Sequence, residues 1–191
     1  MELGQLFRGC RTYRRFLQEP MPEEVILEML DNVRMVSSAG NHQTLRFVAV
    51  RNPETVERIQ PLVKWAAMLP KEIGTPKKHE QPTAWIAIVK TPESGPWSDV
   101  DAGIAVESLV MTAYSRGIGS CIMGAIDAPA IAKILDLPDG YSIRMMIALG
   151  KPACESHIVD VPESGELKYY VDENRNYYVP KRSTDELAHI I

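Results

Sequence analysis

Basic excess, cysteine and long apolar runs are all scarce in this chain, and each shortage removes a class of function. Lysine and arginine number 21 against 25 aspartates and glutamates, for a net charge of −4. That balance lacks the broad cationic face that non-specific nucleic-acid binding requires. The three cysteines, Cys10, Cys121 and Cys154, are odd in number and follow no metal-ligand spacing. They read as free thiols of a reducing compartment. No apolar run approaches the ~20 residues of a membrane span. The start, Met1-Glu2-Leu3-Gly4, has none of the basic and apolar regions of a signal peptide. The expectation is a cytoplasmic protein with neither a membrane nor a nucleic-acid partner. No catalytic triad, paired carboxylate or metal cluster stands out either, so no side chain is marked as strictly catalytic.

What is present is a domain-sized chain of 191 residues, 45% hydrophobic, enough for a single domain with a sizeable core. Pro22-Glu23-Glu24 opens a helix that carries an apolar face through about Val36. Leu45–Val50 reads as a strand. A helix is expected from Pro53 to about Leu69. Residues 70–82, rich in proline and lysine, read as a loop or lid of low intrinsic order. The nearly all-apolar run Ala84–Val89 suits a central strand covered on both faces. Asp99 to Arg116 is the strongest helix, and one so apolar is buried on more than one side. Extended segments follow at 120–125 and 142–149, with a short helix from Pro129 to Leu135 between them. Leu167–Val171 and Tyr177–Val179 flank a polar turn and read as a hairpin.

Two segments carry the chemistry. Ser37-Ser38-Ala39-Gly40-Asn41-His42-Gln43 joins the second helix to the first strand. Its small and amide residues let backbone approach a flat ligand closely and offer hydrogen bonds without charge. Arg11-Thr12-Tyr13-Arg14-Arg15-Phe16 gathers cations near the N-terminus, and with Arg8 places four arginines within eight residues. That patch is too short for a nucleic-acid groove and about right for one phosphate group, which arginine grips with two donors at once. A small-residue loop and a cationic fork together suit a phosphorylated aromatic cofactor.

In order and spacing these pieces, with Met123-Gly124-Ala125, Leu149-Gly150-Lys151-Pro152 and Val179-Pro180-Lys181-Arg182, resemble the nitroreductase-like flavin oxidoreductases across nearly the whole chain. The resemblance implies an α+β fold: a mixed, mostly antiparallel sheet flanked by helices, in an intertwined homodimer. It implies one domain over residues 1–191, with a lid excursion at 64–82 and a tail at 156–191 that reaches the partner subunit. FMN would lie at the subunit interface, with the 99–116 helix in the dimer core and NADH or NADPH as co-substrate.

Residue by residue, the resemblance puts Arg11 and Thr12 on the phosphate, with Tyr13 beside them. It puts Arg14 at the ribityl chain or the pyrimidine edge of the ring, where a cation raises the flavin potential. Ser37, Ser38, Ala39, Asn41 and Gln43 would contact the ring or ribityl, in part from the other subunit. Met123, Gly124 and Ala125 would meet the ring through their backbone, and Lys181 and Arg182 would support the phosphate. His42 is a candidate proton donor above the ring, although a histidine in such a loop is more often exposed or structural. Trp65, Met68 and Trp97 are candidates for the substrate mouth.

The sequence departs from the family pattern in several places. Cys10 stands where many relatives have another arginine, Ser37 where many have proline, Thr44-Leu45 where many have Pro-Trp, and Gly124 where several have glutamate. The activity implied is ping-pong transfer from NAD(P)H to a nitroaromatic, a quinone or a related small-molecule acceptor. A reductive dehalogenase, a flavin-fragmenting enzyme or a non-catalytic FMN-binding sensor of the same fold are the alternatives.

Overall fold

The structure, a computed structural model, describes residues 2–191. Its centre is a four-stranded antiparallel sheet in the order β1-β2-β4-β3, built from β1 (Leu45–Val50), β2 (Ala84–Lys90), β3 (Gly119–Met123) and β4 (Ser142–Gly150). Side chains alternate across a strand, and β2 shows what that does when both faces are covered. Ala84, Ile86 and Ile88 enter one core layer with α2 (Glu23–Val33) and α5 (Ser98–Ser115). Trp85, Ala87 and Val89 enter the opposite layer with α3 (Pro53–Ile59) and α6 (Ala128–Ile134). All six side chains are fully buried, as an apolar run without polar alternation requires. The short α1 (Leu3–Gly9) packs against α5.

A second sheet, in the order β5-β7-β6, contains the expected hairpin: β6 (Tyr170–Val171) lies antiparallel to β7 (Tyr177–Lys181). Its third strand, β5 (Ser156–Asp160), runs parallel to β7 and has no counterpart in the sequence reading. The helix expected from Pro53 to about Leu69 is shorter. Pro61 has no N–H to donate and its ring crowds the preceding turn, so α3 stops at Ile59. A single tight turn, Gln60–Leu62, follows, and Val63 bridges Ile126.

Residues 70–82 hold two short helical turns, α4 (Lys71–Gly74) and Lys78–Glu80. The second is pinned by the buried Glu80, whose carboxylate pairs with Arg15 at 2.9 Å and Arg175 at 2.9 Å. The tail is tied to its own chain as far as β7. Arg175 donates to the carbonyls of Ile73 and Thr75, and Arg15 donates to that of Asn174. Beyond it, α7 (Thr184–Leu187) is fully exposed. No helix among the described residues is long and apolar enough to cross a membrane.

Candidate functional site

The arginine segment lies along the sheet where β3 starts and β4 ends. Thr12 bridges Ser120 and Phe16 bridges Pro152, and the Tyr13 N–H donates to the Ser120 carbonyl at 2.8 Å. Close packing holds it there. Phe16 is fully buried against Gly150, where an added Cβ would come within 3.0 Å of the ring, and a Cβ on Gly119 would come within 2.9 Å of Tyr13. Tyr13, grouped with the ligand contacts on sequence, turns its ring inward, stacked on Tyr114 at 6.4 Å with its hydroxyl on the Gly9 carbonyl. Burial, followed by Tyr114, pushes the phenol well above its usual pKa.

The polar members stay available. Arg11 bonds the Phe7 carbonyl at the end of α1 through one terminal nitrogen, and its Nε is buried with no hydrogen-bond partner among the described residues. Arg14 lies over the rings of Tyr169 and Tyr177, 4.6 and 5.0 Å from their centroids. A cation over aromatic faces is held by the rings' quadrupoles without using its N–H donors. Arg15, by contrast, is committed to Glu80.

At the far end of β3, three residues beyond Ser120 and so roughly 10 Å along the strand, are Met123, Gly124 and Ala125. Met123 is buried, pairs with Met146 of β4 and accepts the Cys121 thiol. Gly124 and Ala125 are exposed, and a Cβ on Gly124 would meet nothing within 4 Å. The Ala125 carbonyl accepts from Lys64 N, which brings the adjoining groove lined by Lys64, Trp65, Lys71 and Lys78 to this end of the site.

Burial raises all three thiols nearby: Cys10 to about 11, where Glu107 adds to the effect and Arg11 opposes it; Cys121 to about 11 against the pull of Arg14; and Cys154 in the same direction.

The loop at 37–43 is elsewhere. It packs on the first turn of α5, where the Ala39 N–H donates to the Asp101 carboxylate at 2.8 Å. The arginine segment meets the other end of α5 through Tyr13 on Tyr114 and through the Cys10 thiol on the Val110 carbonyl. From Asp101 to Tyr114 a helix advances roughly 20 Å, so one chain holds the two groups of candidate residues far apart. Within the loop, Gly40, Asn41 and Gln43 all have left-handed φ, at 56°, 55° and 50°. The side-chain amide of Gln43 bonds that of Asn41 at 3.1 Å, and the Gln43 N–H donates to the Ser38 hydroxyl at 3.3 Å. His42 is exposed, its ring beside Gly40. Trp97, at 64% exposed, lines a hollow with Ala39, Gly40 and His42. Trp65 instead packs at a tilt against Trp85 near Ala125, so within one chain the two tryptophans proposed for one mouth lie in separate places.

Lys181 and Arg182 close β7. Arg182 pairs with Glu186, and among the described residues neither cation contacts the arginine segment through a hydrogen bond or ion pair. Sequence reasoning missed Asp101, Glu80 and the two tyrosines around Arg14. The only sequence signal for them was a carboxylate in the first turn of an otherwise apolar helix and a tyrosine-rich hairpin.

The donor set fits FMN. It comprises a cationic fork with a buried unpartnered nitrogen, a neighbouring hydroxyl, and open backbone further along the same strand. Residues 8–151 match the family model described as the nitroreductase family. A Thermus thermophilus protein named NADH dehydrogenase is 26% identical over 175 residues, covering 77% of this chain and 85% of that protein. Among solved structures, an FMN-dependent nitroreductase from Clostridium difficile R20291 superposes with a TM-score of 0.65 at 19% identity, over 81% of this chain and 89% of that one. A nitroreductase family protein from Clostridium novyi NT gives 0.66 at 20% identity, over 80% and 86%.

Proposed function

The chain belongs to the nitroreductase family, and from that premise we propose that it works as a homodimer that binds FMN at the subunit interface and oxidises NADH or NADPH to reduce a nitroaromatic, a quinone or a related small acceptor. The observation that carries this reading is the division of the candidate residues between the two ends of α5. A second copy, related by a two-fold axis, supplies the loop that each arginine segment lacks. The exposed face of α5 suits such a partner: Val100 and Ile104 are 51% and 41% exposed, and Gly103 between them is open.

In the assembled site Arg11 and the Thr12 hydroxyl hold the phosphate, with Lys181 and Arg182 as added positive charge. When bound, FMN supplies two-electron chemistry that no side chain here offers. Arg14, fixed by Tyr169 and Tyr177, places positive charge where negative charge gathers on reduction. The backbone at 123–125 orients the ring edge. Ser37, Ser38, Ala39, Asn41 and Gln43 of the second copy cover the other side and limit water. Donor and acceptor then use one opening in turn. The Lys64, Trp65, Lys71 and Lys78 groove beside Ala125 provides cations and an aromatic face for the remainder of the dinucleotide.

The test is the visible spectrum of the purified protein with FMN, then with NADH or NADPH in the absence of oxygen. A bound flavin band that bleaches supports the reading, and parallel double-reciprocal lines with a varied acceptor support alternating entry. A band that persists with both nucleotides points to a non-catalytic flavoprotein. Absence of any flavin band overturns the proposal.

A further inference from the structure

Beyond its Ala39 contact, Asp101 has no part in the site described so far, yet among the described residues its carboxylate is the one buried charge that hydrogen-bonds the 37–43 loop. The side chain is 6% exposed, and it accepts the Ala39 N–H at 2.8 Å. The loop has little else to hold it. Apart from Arg46, which donates to the Gln43 carbonyl at 2.9 Å, its remaining hydrogen bonds among the described residues run from one of its own members to another: Asn41 N–H to the Ser38 carbonyl, His42 N–H to the Ala39 carbonyl, Gln43 to Ser38 and Asn41. Every residue from Ser37 to Gln43 is at least partly exposed. The backbone is also strained, with two non-glycine residues at positive φ within three positions. Such conformations cost of order 1–3 kcal/mol each and persist only where surroundings enforce them. A side chain at Gly40 is strained within this conformation and pushes the His42 ring aside. The glycine φ is 56°, and a Cβ would stand 2.8 Å from His42 Nε2.

We infer that Asp101 is a positioning residue that anchors the 37–43 loop, and through it the half of the flavin site that one subunit lends to the other. The inference rests on the flavin reading above. Its geometry has a specific logic. Asp101 is one residue from Val100 and two from Gly103 on the first turns of α5, so the turns that face a second copy also hold the loop offered to that copy. The amide–carboxylate bond is charge-assisted and buried, the setting in which a single hydrogen bond counts most. Asparagine keeps an acceptor oxygen at the same place; alanine does not.

The experiment compares Asp101→Ala and Asp101→Asn with the wild type by amide exchange at Ala39, FMN titration and sedimentation. Asp101→Ala should release the Ala39 amide to fast exchange and weaken FMN binding by ~10–100-fold, the equivalent of a charge-assisted hydrogen bond, in a protein that remains dimeric. Asp101→Asn should restore both to within several-fold. Wild-type exchange and FMN affinity in Asp101→Ala would overturn the inference, as would an Asn variant as impaired as Ala. Should Asp101→Ala fail to fold, Gly40→Ala decides, because it distorts the loop without touching α5: unchanged FMN affinity there overturns the role of the loop, and a loss supports it. A wild-type protein that binds no FMN sinks the flavin reading instead, and the Ala39 exchange rates still support or overturn the anchoring.

Discussion

In the proposed site Arg11 is the residue on which phosphate binding would turn, since Arg14 lies over two tyrosine rings and Arg15 is committed to Glu80. Arg11→Ala should lower FMN affinity by roughly 10–100-fold, the equivalent of one charge-assisted fork, while thermal stability changes little. Arg11→Lys should fall between the two, because a point charge replaces a planar one. A fluorescence titration reads both, and an unaffected Ala variant would move the phosphate site elsewhere. The buried thiols predict an alkaline weakness. Cys10 and Cys121 titrate at about 11 in the fold against an ordinary 9.0. A raised folded pKa stabilises below the unfolded value and is lost as pH rises through the folded one. Denaturant midpoints should therefore hold to about pH 9 and decline toward about pH 11, with a shallower decline in Cys10→Ala. At this scale the sequence was partly legible. Arginine, threonine and glycine announce what they can bind, so Arg11, Thr12 and Gly124 could be proposed from the sequence. Tyr13 was grouped with them although its ring is core, because which way a side chain turns depends on Tyr114, a hundred residues away. Asp101 stayed hidden for the same reason: its partner is a backbone amide that no sequence pattern marks.

Segments are read best where one rule acts alone. β1 and β2 were legible because apolar runs of that length bounded by turn residues have one outcome, and α5 because nothing within it breaks a helix. The helix at 53–69 was over-extended because its apolar spacing outlasts Pro61, where proline geometry overrides periodicity. β5 was missed because a five-residue strand with half-exposed side chains is defined by its partner β7 rather than by its own pattern. The segment 70–82 looked disordered from its composition, yet Glu80 orders it. Burial alone would raise that carboxyl, but the Lys77 N–H, Arg175 and Arg15 outweigh it and hold it below its usual value. Glu80→Gln leaves two arginines facing a neutral amide in a largely dry place. A loss of about 3 kcal/mol is expected, together with faster proteolysis in both the 70–82 segment and the 172–176 turn that Arg175 anchors. The lowered pKa places its stabilisation above the ordinary carboxyl value of 4.5, to be lost as pH falls below it. The wild type should thus lose stability more steeply in acid than the Gln variant, and parallel acid profiles would deny the ion triad its role.

The whole molecule is where sequence alone says least, since a site shared between two copies, as proposed here, would leave no continuous trace in either. What the chain does reveal is an apolar helix with one face left bare. Val100, Gly103 and Ile104 lie at helical spacing on the side of α5 turned away from the sheet, and Leu3 and Phe7 of the adjacent α1 are 65% and 51% exposed. Exposed apolar surface of this kind suits a contact with another molecule, and in the proposed dimer the two-fold symmetry usual for such contacts would let each loop at one end of α5 meet an arginine segment at the other. Gly103 gives a clean way to test this. A Cβ there meets nothing within 4 Å in its own chain, and the position lies inside a helix. Gly103→Leu should therefore leave the monomer as stable or slightly more so, since leucine is favoured over glycine by somewhat under about 1 kcal/mol in a helix. Against a second copy the same side chain fills the space of a close crossing. The expected result is a folded monomer by light scattering that has lost FMN, with Ile104→Glu giving the same pair of losses by charge. A monomer that retains FMN at wild-type affinity would mean that one chain closes the site alone. A variant that stays dimeric would place the partner on some other face and leave the bare side of α5 without an occupant.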